Sequence, residues 1–174
     1  TKDGYNITAL NESEVLVESA KSKYKNQKFF SLQEFKDSPT ANKKFDFIYS
    51  NLWMCILSVD DHKVFFENIK KLLNEDGLLL LSFCHPCFDF MQDSIVTHRV
   101  IPKDIFYDEE FSHSKIIHEN GIHFIDNHRP LEYYTNLFVD QGYKIIDIKE
   151  SDVLGTTLYP DFIFFLLKKN AKIK

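Results

Sequence analysis

The chain has 174 residues, a net charge of −5 and hydrophobic side chains at 44% of its positions. This length and apolar content support one domain with a buried core. An acidic domain gains little from counterion release on phosphates, which argues against a nucleic-acid partner. No apolar run is long enough to cross a bilayer, and no secretory signal is visible. Because three cysteines without framework spacing fit a reducing compartment, we expect a cytoplasmic protein without a membrane partner.

Predicted strands and helices alternate through the first half of the chain. Apolar runs predict strands over residues 5–10, 28–35, 45–50 and 78–83. Ser13 is a predicted N-cap, so a helix follows the first strand. The fourth strand is apolar on both faces, as a central parallel strand must be.

The helix before the fourth strand has a clear pattern. Ser58 and Asp61 have the spacing of a capping box. Apolar residues within 65–73 then recur at helical intervals, and Asp76-Gly77 is predicted to end the helix.

Residues 88–127 contain most of the histidines and many aromatic residues, and we predict that they form a lid inserted after the fourth strand. Asn120-Gly121 favours a hairpin turn within this lid. A helix is predicted from Pro130 to Gly142. Strands over 143–148 and 161–167 follow, and the short segment between them favours antiparallel pairing.

The alternation predicts a doubly wound α/β fold with a mostly parallel sheet and an antiparallel last strand. In such sheets, ligands bind beyond the carboxyl ends of the strands. The residues that follow each predicted strand are therefore the candidates for a functional site.

Four segments carry a resemblance to a known family: ITALNESEVLVESAKSK, KKFDFIYSNLWMCIL, FFENIKKLLNEDGLLLLSFCHP, and HRPLEYYTNLFVDQGYKIIDIKES followed by YPDFIFFLLKK. In this order they resemble the class I S-adenosylmethionine-dependent methyltransferases of the small-molecule type, over nearly the whole chain. The resemblance implies a Rossmann-like methyltransferase fold. It also implies direct transfer of a methyl group from S-adenosylmethionine to a small-molecule acceptor.

The sequence departs from the family pattern in two places. The Gly-rich loop that follows the family's first strand is absent, and the chain has five glycines in all. We therefore expect residues 1–174 to be a single methyltransferase-like domain that is N-terminally incomplete, with the lid within it. In addition, Asn11 stands where the family has an acidic residue that binds the ribose hydroxyls.

The resemblance implies cofactor contacts at the strand ends, namely Asn11, Glu12, Ser31, Leu32, Asn51 and Trp53. Either Ser31 or Glu34 can occupy the position at the end of the family's third strand, where a polar group meets the adenine amine. If Ser31 meets the adenine amine, Leu32 packs on the ring. Trp53 either lines the cofactor site or packs in the core.

The candidate catalytic and acceptor-binding residues lie later in the chain. His85 ends the fourth predicted strand, where it either accepts a proton from the methyl acceptor or shapes a loop. By resemblance, His128 and Arg129 either orient an acidic substrate or anchor the next helix. Phe106 and Tyr107 suggest an apolar acceptor pocket under the lid.

A metal site is not predicted. Cys84, His85 and Cys87 lack the second ligand pair of a structural zinc site, because Cys55 has no neighbouring partner in the sequence. The lid histidines, His98, His113, His118 and His123, are predicted to be scattered over the lid, with some of them facing solvent.

Two other functions stay open. One is a catalytically silent methyltransferase-like module used for interaction. The other is a nicotinamide-dependent Rossmann enzyme, which needs its own Gly-rich loop and a different sheet end. The acceptor and the oligomeric state are not indicated by the sequence.

Overall fold

The computed structural model describes residues 4–153 and 158–170, and the chain forms two compact units, residues 1–44 and 45–174. The strands of the described residues are β1 (Thr8–Asn11), β2 (Lys28–Ser31), β3 (Phe45–Asn51), β4 (Leu73–Cys84), β5 (Thr97–Val100), β6 (Phe111–Ile117), β7 (His123–His128), β8 (Tyr143–Glu150) and β9 (Phe162–Lys169). The α-helices are α1 (Glu14–Lys23), α2 (Leu32–Asp37), α3 (Trp53–Ile56), α4 (Val59–Leu72) and α5 (Leu131–Asp140).

The first unit is a small parallel β–α–β arrangement. β1 and β2 pair in parallel, with α1 between them in sequence. Ser13 caps α1 as predicted, since its side chain accepts a hydrogen bond from the backbone N–H of Leu16.

The predicted strand over residues 28–35 is too long. β2 ends at Ser31, and α2 follows at once. The reason is a capping box: the Ser31 hydroxyl accepts from the Glu34 N–H, and the Glu34 carboxylate accepts from the Ser31 N–H. This reciprocal bonding stabilises a helix start that the apolar pattern alone does not reveal.

The second unit contains a four-stranded sheet in the order β3-β4-β9-β8. β3 and β4 are parallel, while β9 is antiparallel to both β4 and β8. The predicted antiparallel last strand is confirmed.

The boundary between α4 and β4 differs from the prediction. The helix ends at Leu72, and Gly77 lies inside β4 instead of ending the helix. A Cβ atom on Gly77 would lie 2.7 Å from Leu73 Cδ1 and 3.1 Å from the backbone oxygen of Asp46. A larger residue would crowd the Leu73 side chain in the same strand and the Asp46 backbone in β3, so this close packing favours glycine.

The core of the second unit is rich in aromatic side chains. Phe83 of β4 and Phe165 of β9 stack with their ring centroids 5.8 Å apart. Phe138 of α5 meets Phe165 edge to face at 5.0 Å, and Phe66 of α4 meets Phe138 at 5.8 Å. These four fully buried rings join the two helices to one face of the sheet.

Between β4 and α5 the chain forms a separate antiparallel sheet in the order β5-β6-β7. The β6–β7 hairpin turns through Gly121, whose φ is +68°, as the Asn-Gly pair predicts. In residues 4–153 and 158–170, the helices are all too short or too polar to cross a membrane.

A buried histidine connects three helices of the second unit. His62 Nε2 lies 3.0 Å from the Met54 carbonyl oxygen, so this nitrogen carries the proton and donates it. His62 Nδ1 then accepts from the Tyr133 hydroxyl at 2.9 Å. Burial lowers the pKa of His62 to about 4, because the charged imidazole would lose its hydration.

We expect the stability of the protein to fall as the pH drops from 6.5 towards 4. The unfolded chain binds a proton on His62 in this range and the folded chain does not, so protonation favours unfolding. The contribution reaches about 3 kcal/mol at most. Urea unfolding at pH 7 and pH 5 measures it, with His62→Gln as the control that retains a hydrogen-bonding side chain but does not titrate. An equal pH dependence in the two proteins would contradict this assignment.

Candidate active site

The carboxyl ends of β3 and β4 lie side by side in the second unit. Asn51 of β3 is the register partner of Ser82 of β4. The Ser82 hydroxyl donates to Asn51 Oδ1 at 2.6 Å and accepts from the Tyr49 hydroxyl at 2.8 Å. The Asn51 side chain is therefore held in a defined orientation at the end of its strand.

The turn after Asn51 begins in an uncommon backbone conformation. Leu52 has a φ of +64°, and its N–H donates to the Ser82 carbonyl at 2.7 Å. Trp53 then starts α3 and packs half-buried against the hydrophobic core. The left-handed residue turns the chain from strand to helix within a single step.

His85 follows β4 directly, and its side chain is buried. Its Nδ1 accepts from the Cys87 N–H at 3.1 Å, so its proton is on Nε2. Nε2 donates to the Glu150 carboxylate at 2.9 Å. His85 thus caps the short 3-10 turn that starts at Pro86, and both ring nitrogens are bonded.

His128 is fully buried at the end of β7. Its Nδ1 lies 3.0 Å from Asp89 Oδ2, and its Nε2 lies 2.9 Å from the Tyr107 carbonyl oxygen. Both ring nitrogens of His128 therefore face oxygen atoms that accept hydrogen bonds. The ring also stacks on Phe111 at a centroid distance of 4.6 Å.

The other three predicted acceptor-binding residues differ in exposure. Arg129 is buried, with its guanidinium 5.2 Å from the Tyr133 ring centroid and its Nε 3.4 Å from Glu110 Oε2. Tyr107 accepts a hydrogen bond from the Leu131 N–H. Phe106 is 67% exposed and does not join the aromatic cluster around His128.

The predicted cofactor residues of the first unit lie at the ends of its two strands. Asn11 and Ser31 are register partners. Asn11 Oδ1 accepts from the Ser13 N–H at 2.8 Å. Glu12 and Leu32 are exposed. Since β2 ends at Ser31, the alternative position at Glu34 belongs to α2.

The structure reveals a buried polar cluster that the sequence analysis missed. Lys115 of β6 contacts the Asp126 carboxylate of β7, and its Nζ lies 3.0 Å from Cys84 Sγ at the end of β4. Burial acts to lower the pKa of Lys115, but the negative charges of Cys84 and Asp126 raise it above its ordinary value. The available signal was the alternation of β6, which places His113 and Lys115 on its buried face.

Two groups of buried side chains have donor atoms within 4.8 Å of one another, as a metal site needs: Cys55, Cys84 and Asp126, and Asp89, His113 and Asp126. The Lys115 ammonium is already bonded to two members of the first group. Burial lowers the pKa of His113. The carboxylates of Asp89 and Asp126 act to raise it, and the positive charges of Lys115 and Arg99 act to lower it. The positive charges of Lys115 and Arg99 would repel a metal ion at this position.

The sequence-adjacent trio of Cys84, His85 and Cys87 does not form a ligand set within the described residues. The His85 nitrogen that faces Cys87 accepts from its backbone N–H. Of the four lid histidines, His113 belongs to a potential metal group in the described part of the chain. His98 bonds Asp93, and His118 lies 3.2 Å from the Ser94 carbonyl oxygen.

Comparisons with known proteins agree with this architecture. Residues 1–81 match the family model described as a methyltransferase domain. No curated protein matches the chain. Solved structures do match the chain. The three described below are less than 20% identical to it, so their similarity is evidence for the fold alone.

Three of these structures cover most of the chain. A putative S-adenosylmethionine-dependent methyltransferase from Listeria monocytogenes is 19% identical, with a TM-score of 0.66 over 98% of this chain and 83% of its own. An S-adenosylmethionine-dependent methyltransferase from Clostridium acetobutylicum is 17% identical, with a TM-score of 0.62 over 96% and 76%. The glycopeptide N-methyltransferase MtfA, complexed with S-adenosylmethionine, is 12% identical, with a TM-score of 0.66 over 97% and 79%.

We expect purified protein to contain no stoichiometric zinc. The Lys115 ammonium lies where a cation would bind Cys84 and Asp126, and a closed zinc site needs four ligands. Elemental analysis of protein purified without chelators tests this. A stoichiometric zinc ion that disappears in Cys84→Ser would contradict the prediction.

Proposed function

We propose that the chain is a class I S-adenosylmethionine-dependent methyltransferase and that its methyl acceptor is a small molecule; the family match of residues 1–81 and the fold support this. The observation that carries the enzyme class is the sheet order β3-β4-β9-β8, with an antiparallel β9 between β4 and β8. The proposal for the acceptor rests on the aromatic and polar insertion that leaves from the carboxyl end of β4.

S-adenosylmethionine supplies an electrophilic methyl group when bound. Its ribose, amine and carboxylate require hydrogen-bonding groups at the strand ends, and the polar side chains found there fit that need. The chain's own work is to align the acceptor with the methyl carbon and to exclude water. Direct displacement needs no covalent nucleophile, so the residues that matter are those that position the acceptor and the cofactor.

We assign the nucleoside contacts to the first unit. Asn11 and Glu12 would meet the ribose hydroxyls, Ser31 the adenine amine, and exposed Leu32 the ring face. The support is their place at the carboxyl ends of paired parallel strands. Asn11 Oδ1 is already bonded to the Ser13 N–H, so it offers the ribose less than a carboxylate would.

In the second unit, Asn51 and Trp53 are proposed to contact the cofactor from the end of β3. Asn51 is supported by the fixed orientation that Ser82 gives its side chain. Trp53 is supported by its half-buried position at the start of α3, where part of the ring stays accessible.

Acceptor binding is proposed for Arg129, His128, Phe106 and Tyr107. Arg129 Nη1 is buried without a hydrogen-bond partner among the described residues, which suits an acidic group on the acceptor, while Nε already forms an ion pair with Glu110. His128 and Tyr107 belong to an aromatic cluster with Phe90 and Phe111. Exposed Phe106 would contact the acceptor if this part of the insertion closes over it.

His85 is proposed to accept the acceptor's proton. Glu150 holds the Nε2–H, so Nδ1 presents the lone pair. The Cys87 N–H occupies that lone pair here, and the acceptor's hydroxyl or amine must replace it. The proton would then move from the acceptor to Nδ1 as the methyl group is transferred.

Binding of S-adenosylmethionine and S-adenosylhomocysteine is expected by isothermal titration calorimetry. Asn11→Asp should tighten binding about tenfold, because a carboxylate accepts stronger hydrogen bonds from both ribose hydroxyls. Asn11→Ala should weaken it. The absence of binding heat from a folded sample at high ligand concentration would contradict the proposed function and favour a silent module.

His85→Asn should lower turnover about 10²-fold and leave the cofactor dissociation constant unchanged. Asparagine can still accept from the Cys87 N–H and cap the turn, but it cannot take up a proton. His85→Ala, which removes both roles, is the matched comparison.

If His85→Asn retains wild-type turnover while His85→Ala loses it, His85 acts through the cap alone. Equal turnover in the wild type, His85→Asn and His85→Ala would show that turnover depends on His85 neither as a proton acceptor nor as a cap.

A further inference from the structure

Two thiols meet at the carboxyl ends of neighbouring strands. Cys55 lies in α3, just after β3, and Cys84 is the last residue of β4. Both side chains are buried, and their sulfur atoms lie within 4.8 Å of each other. The sequence gives Cys55 no neighbouring cysteine, so this pair exists only through the parallel pairing of β3 and β4.

The surroundings make the two thiols unequal. A hydrogen bond from the Cys55 thiol lowers the pKa of Cys84; burial opposes this shift, and the Lys115 ammonium adds to it. The same hydrogen bond and burial raise the pKa of Cys55. The Cys55 proton has two acceptors in reach, Cys84 Sγ and the Leu52 carbonyl oxygen at 3.2 Å. The pair therefore favours a thiolate at Cys84 beside a thiol at Cys55.

Cys87 provides an internal contrast. It is more exposed than Cys84 and Cys55. Burial raises its pKa, and the carboxylates of Glu150 and Asp89 raise it further. Because the thiolate is the reactive form of cysteine, the more accessible thiol is here the weaker nucleophile.

We propose that Cys55 and Cys84 are a reversible redox site, at which a peroxide converts the two thiols into a disulfide. The proposal stands on the adjacent sulfur atoms and on the Lys115 ammonium 3.0 Å from Cys84 Sγ. It does not depend on the acceptor or on methyl transfer. A peroxide is close to water in size, so brief local opening at the strand ends admits it.

The reaction has two balanced steps. The Cys84 thiolate attacks one oxygen of hydrogen peroxide; the O–O bond breaks, Cys84 becomes a sulfenic acid, and hydroxide leaves and is protonated to water. The Cys55 sulfur then attacks the Cys84 sulfur, the S–O bond breaks, and the departing oxygen takes up the Cys55 proton as water. The thiols lose two electrons in total, and the peroxide gains them.

The folded protein is treated with hydrogen peroxide, its remaining thiols are alkylated, and its peptides are mapped without reduction. We expect a linked Cys55–Cys84 peptide with the mass loss of two hydrogens, and an alkylated Cys87. Dithiothreitol should reverse the link. Cys87→Ser should give the same link at the same rate.

Two further variants separate the steps. Cys55→Ser should stop the reaction at a Cys84 sulfenic acid, which dimedone traps. Lys115→Met should slow oxidation of Cys84 about tenfold, whereas Lys115→Arg keeps the positive charge and most of the rate. Lys115→Met combined with Asp126→Asn serves if the single variant fails to fold, because it removes the unpaired buried carboxylate.

The wild-type peptide map is decisive by itself. Oxidation of Cys87 before Cys84, or oxidation of Cys84 without a link to Cys55, would overturn the proposal. Oxidation of Lys115→Met at the wild-type rate would remove the ammonium from the mechanism.

Discussion

The position of β4 between β3 and β9 is the constraint on which the rest of the second unit depends. From Leu78 to Ser82, β4 is paired on both sides, so its backbone groups are satisfied there and the strand cannot slip without breaking two ladders. Its carboxyl end is therefore a fixed reference. Ser82 orients Asn51 from this end, Cys84 meets Cys55 there, and His85 caps the turn that starts the insertion.

Buried charges join the insertion to this strand end. Lys115 bridges Asp126 in its own sheet to Cys84 in β4. Burying such charges has a large desolvation cost, and only close pairing offsets it. His128 and Asp89 form a second buried polar pair nearby. These contacts specify one arrangement of the insertion, because any shift would leave a charge without its partner.

Local patterns in the sequence predicted most of the elements, while long-range pairing escaped them. Apolar runs located β3, β4 and β9, and Asn-Gly located the β6–β7 turn. The helix over residues 32–37 was missed because its capping box begins inside an apolar run. The roles of Lys115 and Cys55 could not be predicted, because their partners depend on which strands and sheets come together. A histidine at a strand end was predictable, but its bonds to Cys87 and Glu150 were not.

The pairing of β4 with β9 also bears on how the chain folds. The two strands meet through residues no closer in sequence than Cys84 and Phe162, so their ladder must close a long loop, which is slow. The β5–β6–β7 sheet lies within that loop and is built from local contacts. If it forms first, it shortens the effective loop that β9 must close. The insertion between β4 and α5 would then also assist the assembly of the four-stranded sheet.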